Sequence, residues 1–241
     1  MTDTPKLPEN GKAICPGAPT PKPKLFKRAL LALATLAALP HLYLLALAAL
    51  PPPVTLNQLL DPRPLQRDWT PLARISPHLV HAVIAAEDSR FCEHSGIDWD
   101  ATREQLARED GPARGASTLT QQTAKNLFFW NGGGYPRKAG EAWFALLGDR
   151  IWGKRRTLEL YLNTAEWGGG TWGAEVAAQH YFDTPAAELT PLQAARLAAV
   201  LPSPNIWSAD APGPYVQRRT ATLQARAEVI RTQGYADCVE D

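Results

Sequence analysis

From Ala29 to Leu50 the chain reads ALLALATLAALPHLYLLALAAL, without a single Lys, Arg, Asp or Glu. As an α-helix this run extends about 33 Å at 1.5 Å per residue, matching a bilayer hydrocarbon core of roughly 30 Å. Only Thr35, Pro40 and His41 interrupt it, and a proline kink is tolerated within lipid. Ahead of it lie Lys6, Lys12, Lys22, Lys24, Lys27 and Arg28 against Asp3 and Glu9, a net of +4. The positive-inside rule then puts the N-terminus in the cytoplasm and everything beyond Leu50 outside it. The competing reading is a cleaved leader, because Ala46-Leu47-Ala48 has the A-x-A shape. The long basic segment and the length of the run favour a retained span.

The formal net charge of +1 over 241 residues hides this asymmetry. With +4 before the span and none within it, the remaining residues sum to −3. Neither value suits a nucleic-acid binder driven by bulk positive charge. Apolar residues make up 45% and charged residues 20%, an ordinary globular composition. Of the three cysteines, Cys15 falls on the cytoplasmic side and is expected to be reduced. Cys92 and Cys238 share the exported side, and the sequence leaves their pairing open. The absence of CxxC and HExxH argues against a zinc site.

The organisation expected is a basic tail (1–28), a transmembrane helix (29–50), a juxtamembrane linker (51–64), one domain (65–230) and a C-terminal tail (231–241). The domain is punctuated as mostly α. Ser76-Pro77, Thr190-Pro191 and Gly213-Pro214 have the form of an N-cap followed by proline at the first helical position. Thr118 and Gln121 form a capping box, and further helices follow Pro136, Lys154 and Gly173. Gly234 suits the C-terminal end of the last long helix. The segments Gly132–Gly134 and Gly168–Gly170 read as breaks, and no strand alternation stands out.

Three stretches can carry chemistry. In the helix opened by Ser76, the apolar positions Val80, Val83, Ile84 and Phe91 place Glu87 on the same stripe. A carboxylate facing the core is costly unless paired or functional, and burial raises its pKa towards the range useful for proton transfer. The alternative is a structural glutamate held by Arg90 or another partner. Arg137, Lys138 and Glu141 share one face of another helix's first turn, either as an anion site beside free N–H groups or as a surface ion-pair cluster. Between these carboxylates, Arg114 to Lys125 (RGASTLTQQTAK) opens a helix whose Ser117, Gln121, Gln122 and Lys125 suit a sugar–phosphate groove. An ordinary capped helix would look the same. Leu127 to Trp130, ahead of the glycines, reads as either a lipid-dipping loop or core plus a turn.

Together these stretches form an ordered series. Glu87 to Gly96 (EDSRFCEHSG) resembles the E-D-x-x-F-x-x-H-x-G signature of family 51 glycosyltransferases, the peptidoglycan polymerases. RGASTLTQQ resembles that family's second motif, and Arg137-Lys138-x-x-Glu141 its third. Thr157 to Asn163, with Trp167-Gly168 and Gly173 to Phe182, resembles the fourth, and Leu189 to Pro204 the fifth. The chain resembles the monofunctional biosynthetic transglycosylases in particular, since the S-x-x-K and K-T-G of an appended transpeptidase are absent.

The resemblance implies a lysozyme-like helical lobe with a small jaw lobe against the membrane. It implies polymerisation of lipid II, with the acceptor 4-hydroxyl attacking the donor anomeric carbon, inversion, and release of undecaprenyl pyrophosphate. Glu87 takes the place of the general base and Glu141 that of the second carboxylate. Lys125, Arg137, Lys138 and Arg90 would supply positive field for the leaving pyrophosphate, and Ser117, Gln121 and Gln122 would line the groove. Magnesium assists relatives, but no ligand cluster here demands it. Implied partners are lipid II, the growing glycan, membrane lipid and wall-synthesis or division proteins, with no nucleic acid. Where many relatives carry a loop arginine this chain has Gly133, and where some have lysine it has Gly140. A lytic enzyme and a non-catalytic membrane scaffold are the alternative functions.

Overall fold

The structure, a computed structural model, describes residues 23–107, 117–130, 132 and 134–240. Cys15, Arg114, Gly133 and most of the basic tail lie outside the described residues. The chain divides between Leu42 and Tyr43 into two units. The first holds most of α1 (Pro23–Ala46), whose Leu30, Leu31, Leu33, Leu36 and Leu39 are exposed. From Phe26 to Ala46 this helix is long and apolar enough to cross a membrane. Two of its polar side chains bond to the helix backbone: Thr35 Oγ1 donates to the Leu31 carbonyl at 2.9 Å and His41 Nδ1 to that of Ala37 at 2.8 Å.

The second unit is mostly helical, in the order α2 (Leu56–Leu60), β1 (Gln66–Arg67), α3 (Pro77–Glu87), α4 (Trp99–Leu106), α5 (Leu119–Phe128), α6 (Gly134–Thr164), β2 (Glu166–Gly168), β3 (Thr171–Trp172), α7 (Ala174–Phe182), α8 (Pro191–Val200), α9 (Pro214–Thr232) and α10 (Asp237–Glu240). The expected caps are in place. Ser76 and Thr190 accept from the N–H groups of His78 and Gln193, each with proline next in the chain. Gly213 precedes Pro214 at the start of α9. Gly234 takes φ +69°, and the Tyr235 N–H returns to the Ile230 carbonyl at 3.0 Å, closing α9 with a Schellman turn. Inside α6, Gly153 at φ +69° breaks the ladder, so its two halves act as separate helices.

α3 lies at the centre. Leu79 to Ala85 are all buried, on every side of the helix rather than on one stripe. They pack among Leu197 and Val200 of α8, Leu223 of α9, and Leu158 and Leu162 of α6. A second apolar cluster joins α5 to α6 through Leu127, Phe144, Ala145, Trp152 and Leu160. Phe128 stacks on Phe144 at 4.3 Å, so the Leu127–Phe129 stretch is core and only Trp130 is exposed.

Three segments carry structure that the sequence left undescribed. The apolar run is not one uniform span, because Leu44 and Leu47 are buried in the second cluster. Trp152 Nε1 donates to the Leu44 carbonyl, one that the helix end leaves orphaned, and Arg156 donates to the carbonyls of Leu47 and Leu50 in the turn that follows. The segment 51–64 is not a featureless linker: Thr55 and Gln58 make a reciprocal capping box that starts α2. The residues after 230 are no loose tail. Cys238 is bonded to Cys92, Ala236 and Val239 are buried, and Arg155 donates to the Val239 carbonyl at 2.5 Å. The small sheet, ordered β1-β3-β2 with β1 parallel and β2 antiparallel to β3, escaped the sequence because two- and three-residue strands show no alternation.

Candidate active site

Glu87 is the last residue of α3, and the chain then turns sharply at Asp88. What Asp88 does explains the local sequence. Its buried carboxylate accepts from His94 Nε2 at 3.0 Å and from the Leu119 N–H at the start of α5 at 2.9 Å. A carboxylate at a helix N-terminus takes up orphaned donors and complements the helix dipole. Thr118 caps α5, accepting from Gln121 N–H at 3.1 Å while its hydroxyl donates to the Gly96 carbonyl at 2.6 Å. Gly96 has φ +83°, and a Cβ there would meet the Ala145 carbonyl oxygen at 2.7 Å. Asp88, His94 and Gly96 therefore clamp α3 to α5 and α6, while the glutamate beside them is left for the cavity.

That cavity holds about 690 Å³ and is lined by Glu87, Ser117, Gln121, Gln122, Lys125, Arg137, Lys138 and Glu141, together with Pro202, Ser203, Trp207, Tyr215 and Arg219. Glu87 Oε2 accepts from Gln122 Nε2 at 2.9 Å. Burial pushes its carboxyl pKa up, opposed by the Gln122 hydrogen bond and by the charges of Arg219 and Lys125. Glu141 is only 2% exposed. It pairs with Arg137 and with Lys138 Nζ, the latter at 3.2 Å, and Lys138 also reaches Ser117 Oγ at 2.5 Å. The surface ion-pair reading of Glu141 thus gives way to a buried anchor for two cations. Burial, reinforced by Arg137, lowers the pKa of both Lys125 and Lys138. Lys125, Arg137, Lys138 and Arg219 outnumber the two carboxylates, so the cavity favours a polyanionic group.

A second cavity, of about 310 Å³, shares Gln122 and Lys125 with the first. Its other lining includes Asn57, Asn126, Tyr161, Glu166, Trp172 and Asn205. Amides, a carboxylate and an indole are the side chains that hydrogen-bond and stack on polar rings.

Eight of the nine expected site residues meet in the larger cavity; Arg90 does not. Because α3 stops at Glu87, Arg90 lies on another face, paired with Glu93 at 3.2 Å, Asp98 at 3.3 Å and Asp100 at 3.5 Å. Arg219, Trp207 and Tyr215 carried no signal in the sequence, whereas their neighbours Pro202 and Ser203 fell within the fifth motif. Gly140 also finds a reason: a Cβ there would lie 2.6 Å from the Phe129 ring. Among the described residues no group of three or more His, Cys, Asp or Glu converges to hold a metal. Glu141 is already paired with two cations, so the described residues around it do not fit a divalent cation.

The chain is similar in sequence to known proteins. A family model described as Transglycosylase matches residues 54–230. The chain is 48% identical over 231 residues to the biosynthetic peptidoglycan transglycosylase of Rhodospirillum centenum, covering 91% of this chain and 97% of that protein. It is 45% identical over 222 residues to the protein of that name from Caulobacter vibrioides, covering 90% and 97%. To that of Pseudomonas aeruginosa it is 51% identical over 166 residues, covering 68% and 72%.

Proposed function

The chain belongs to the transglycosylase family, and on that premise we propose that it is a membrane-anchored peptidoglycan glycosyltransferase polymerising lipid II in cell-wall synthesis. The observation that carries this reading is the cavity in which one half-buried, hydrogen-bonded carboxylate faces a cluster of cations anchored by a second, buried one. Glu87 accepts the proton of the acceptor 4-hydroxyl as that oxygen attacks the donor anomeric carbon. The C–O bond to pyrophosphate breaks on the opposite face, giving inversion. Pyrophosphate is already a good leaving group, so charge stabilisation by Lys125, Arg137 and Lys138 matters more than protonation. Glu141 acts by holding Arg137 and Lys138 in place. Ser117, Gln121 and Gln122 line the sugar path.

The basic segment before the apolar helix supports an N-terminus in the cytoplasm and a catalytic unit on the exported side. The Cys92–Cys238 bond supports the same placement, since such bonds persist in oxidising compartments.

The test is incubation of the full-length protein in detergent with labelled lipid II. High-molecular-weight glycan that disappears on adding a phosphoglycolipid inhibitor of the family is the expected result. Fragments released from preformed peptidoglycan, with no polymer from lipid II, would replace this reading with a lytic one.

A further inference from the structure

The wall between the two cavities holds a hydrogen-bond chain that the mechanism above does not use. Tyr161, on the second half of α6, is 2% exposed, and its hydroxyl donates to Gln122 Oε1 at 3.3 Å. The other end of the same amide donates from Nε2 to Glu87 Oε2 at 2.9 Å and to the Ser117 carbonyl at 3.4 Å. We propose that Tyr161 is a positioning residue that acts through Gln122 to hold the Glu87 carboxylate aimed into the cavity and ready to accept a proton. The proposal rests on the assignment of Glu87 as the base.

A glutamine amide has two orientations of nearly equal shape, and its neighbours decide between them. One presents Nε2 to Glu87; the other presents Oε1 and repels a carboxylate. The Ser117 carbonyl can only accept, which favours the first, and the Tyr161 hydroxyl locks it by donating to Oε1. Tyr161 remains a donor because burial, and secondarily the negative charge of Glu87, hold its phenol well above the usual tyrosine range. The charged groups facing Glu87 are Lys125 from α5, Arg219 from α9 and the adjacent Asp88, with Arg137, Lys138 and Glu141 across the cavity. The cations are lost to neither variant below, so a change in the titration of Glu87 reports the amide.

Tyr161→Phe keeps the ring and removes the donor. In lipid II polymerisation we expect kcat to fall about 3- to 10-fold with KM unchanged, the range of one lost hydrogen bond. The acidic limb of the kcat–pH profile should move up by roughly half a unit. Gln122→Ala should move the limb the same way, and Tyr161→Phe added to it should do nothing more, since both act through one amide. An unshifted limb in either single variant, or additive losses in the double variant, overturns the proposal. The Gln122→Ala arm stands even if Tyr161→Phe does not fold. The carboxyl of Glu87 is also titrated by carbon-13 NMR in the ligand-free full chain. If wild type makes no polymer, the catalytic reading fails, while this titration still decides the coupling: identical midpoints in wild type and Tyr161→Phe overturn it.

Discussion

Replacing Cys92 and Cys238 by serine tests how the end of the chain is attached. The bond closes a sequence separation of 146 residues, and in the chain-entropy account a loop of that length restricts the unfolded state by about 5 kcal/mol. The full amount is not expected on removal. Val239 and Ala236 remain buried, Arg155 still reaches the Val239 carbonyl, and His81 Nε2 still meets Glu240 at 2.5 Å. Those contacts hold α10 near α3 and α6 without the covalent link, so a loss of about 3 kcal/mol is the working figure, within the range usual for native disulfides. For a domain of this size that corresponds to a fall in Tm of roughly 6–12 °C. The assay is thermal unfolding in detergent with and without dithiothreitol, beside a count of reactive thiols. Wild type should lose Tm on reduction and the double variant should not respond. Activity below the transition should survive, because Asp88 keeps its hold on α5 in both forms. A wild-type Tm unchanged by reductant, or three free thiols in protein folded on the exported side, would refute the reasoning.

Other outcomes follow from the cavity. Glu87→Gln should lower polymerisation by about 10²- to 10⁴-fold, the usual contribution of a general base, with the circular dichroism spectrum unchanged. The same variant should be more stable than wild type at neutral pH. Burial raises the folded-state pKa of Glu87, so stability contributed by its protonated form is present below the unfolded value of 4.5 and lost as pH rises through the folded value. The gap in Tm between variant and wild type should therefore close in acid, and a gap independent of pH would count against the burial argument. Glu141→Gln should raise KM and lower kcat at least tenfold by releasing Arg137 and Lys138; wild-type kinetics would remove its anchoring role. Gly140→Lys should cost about 1–3 kcal/mol by displacing the Phe129 ring, read as a lower Tm, and an unchanged Tm would show that the ring moves aside freely.

Features that depend on neighbours within four residues were readable from the chain alone. The Thr118–Gln121 capping box, proline after Ser76 and Thr190, Gly234 at the end of α9 and the Arg137–Lys138–Glu141 cluster are all set by the pitch of one helix. The ordered motifs added which of these belong to one site. Features that depend on which faces meet were not readable. Arg90 follows Glu87 by three residues yet leaves its face because the helix stops between them, and only the packing of Asp88 against α5 determines that stop. Arg219 and Tyr161 reach the site from helices far along the chain, through packing that no local pattern records. The residues after 230 have a weak periodicity but a covalent partner 146 residues away. Sequence determined the helices, their caps and the chemistry they carry, because those follow from short-range geometry. Tertiary structure decided which side chains surround Glu87, because burial and hydrogen bonding there are shared among elements that are distant in the chain.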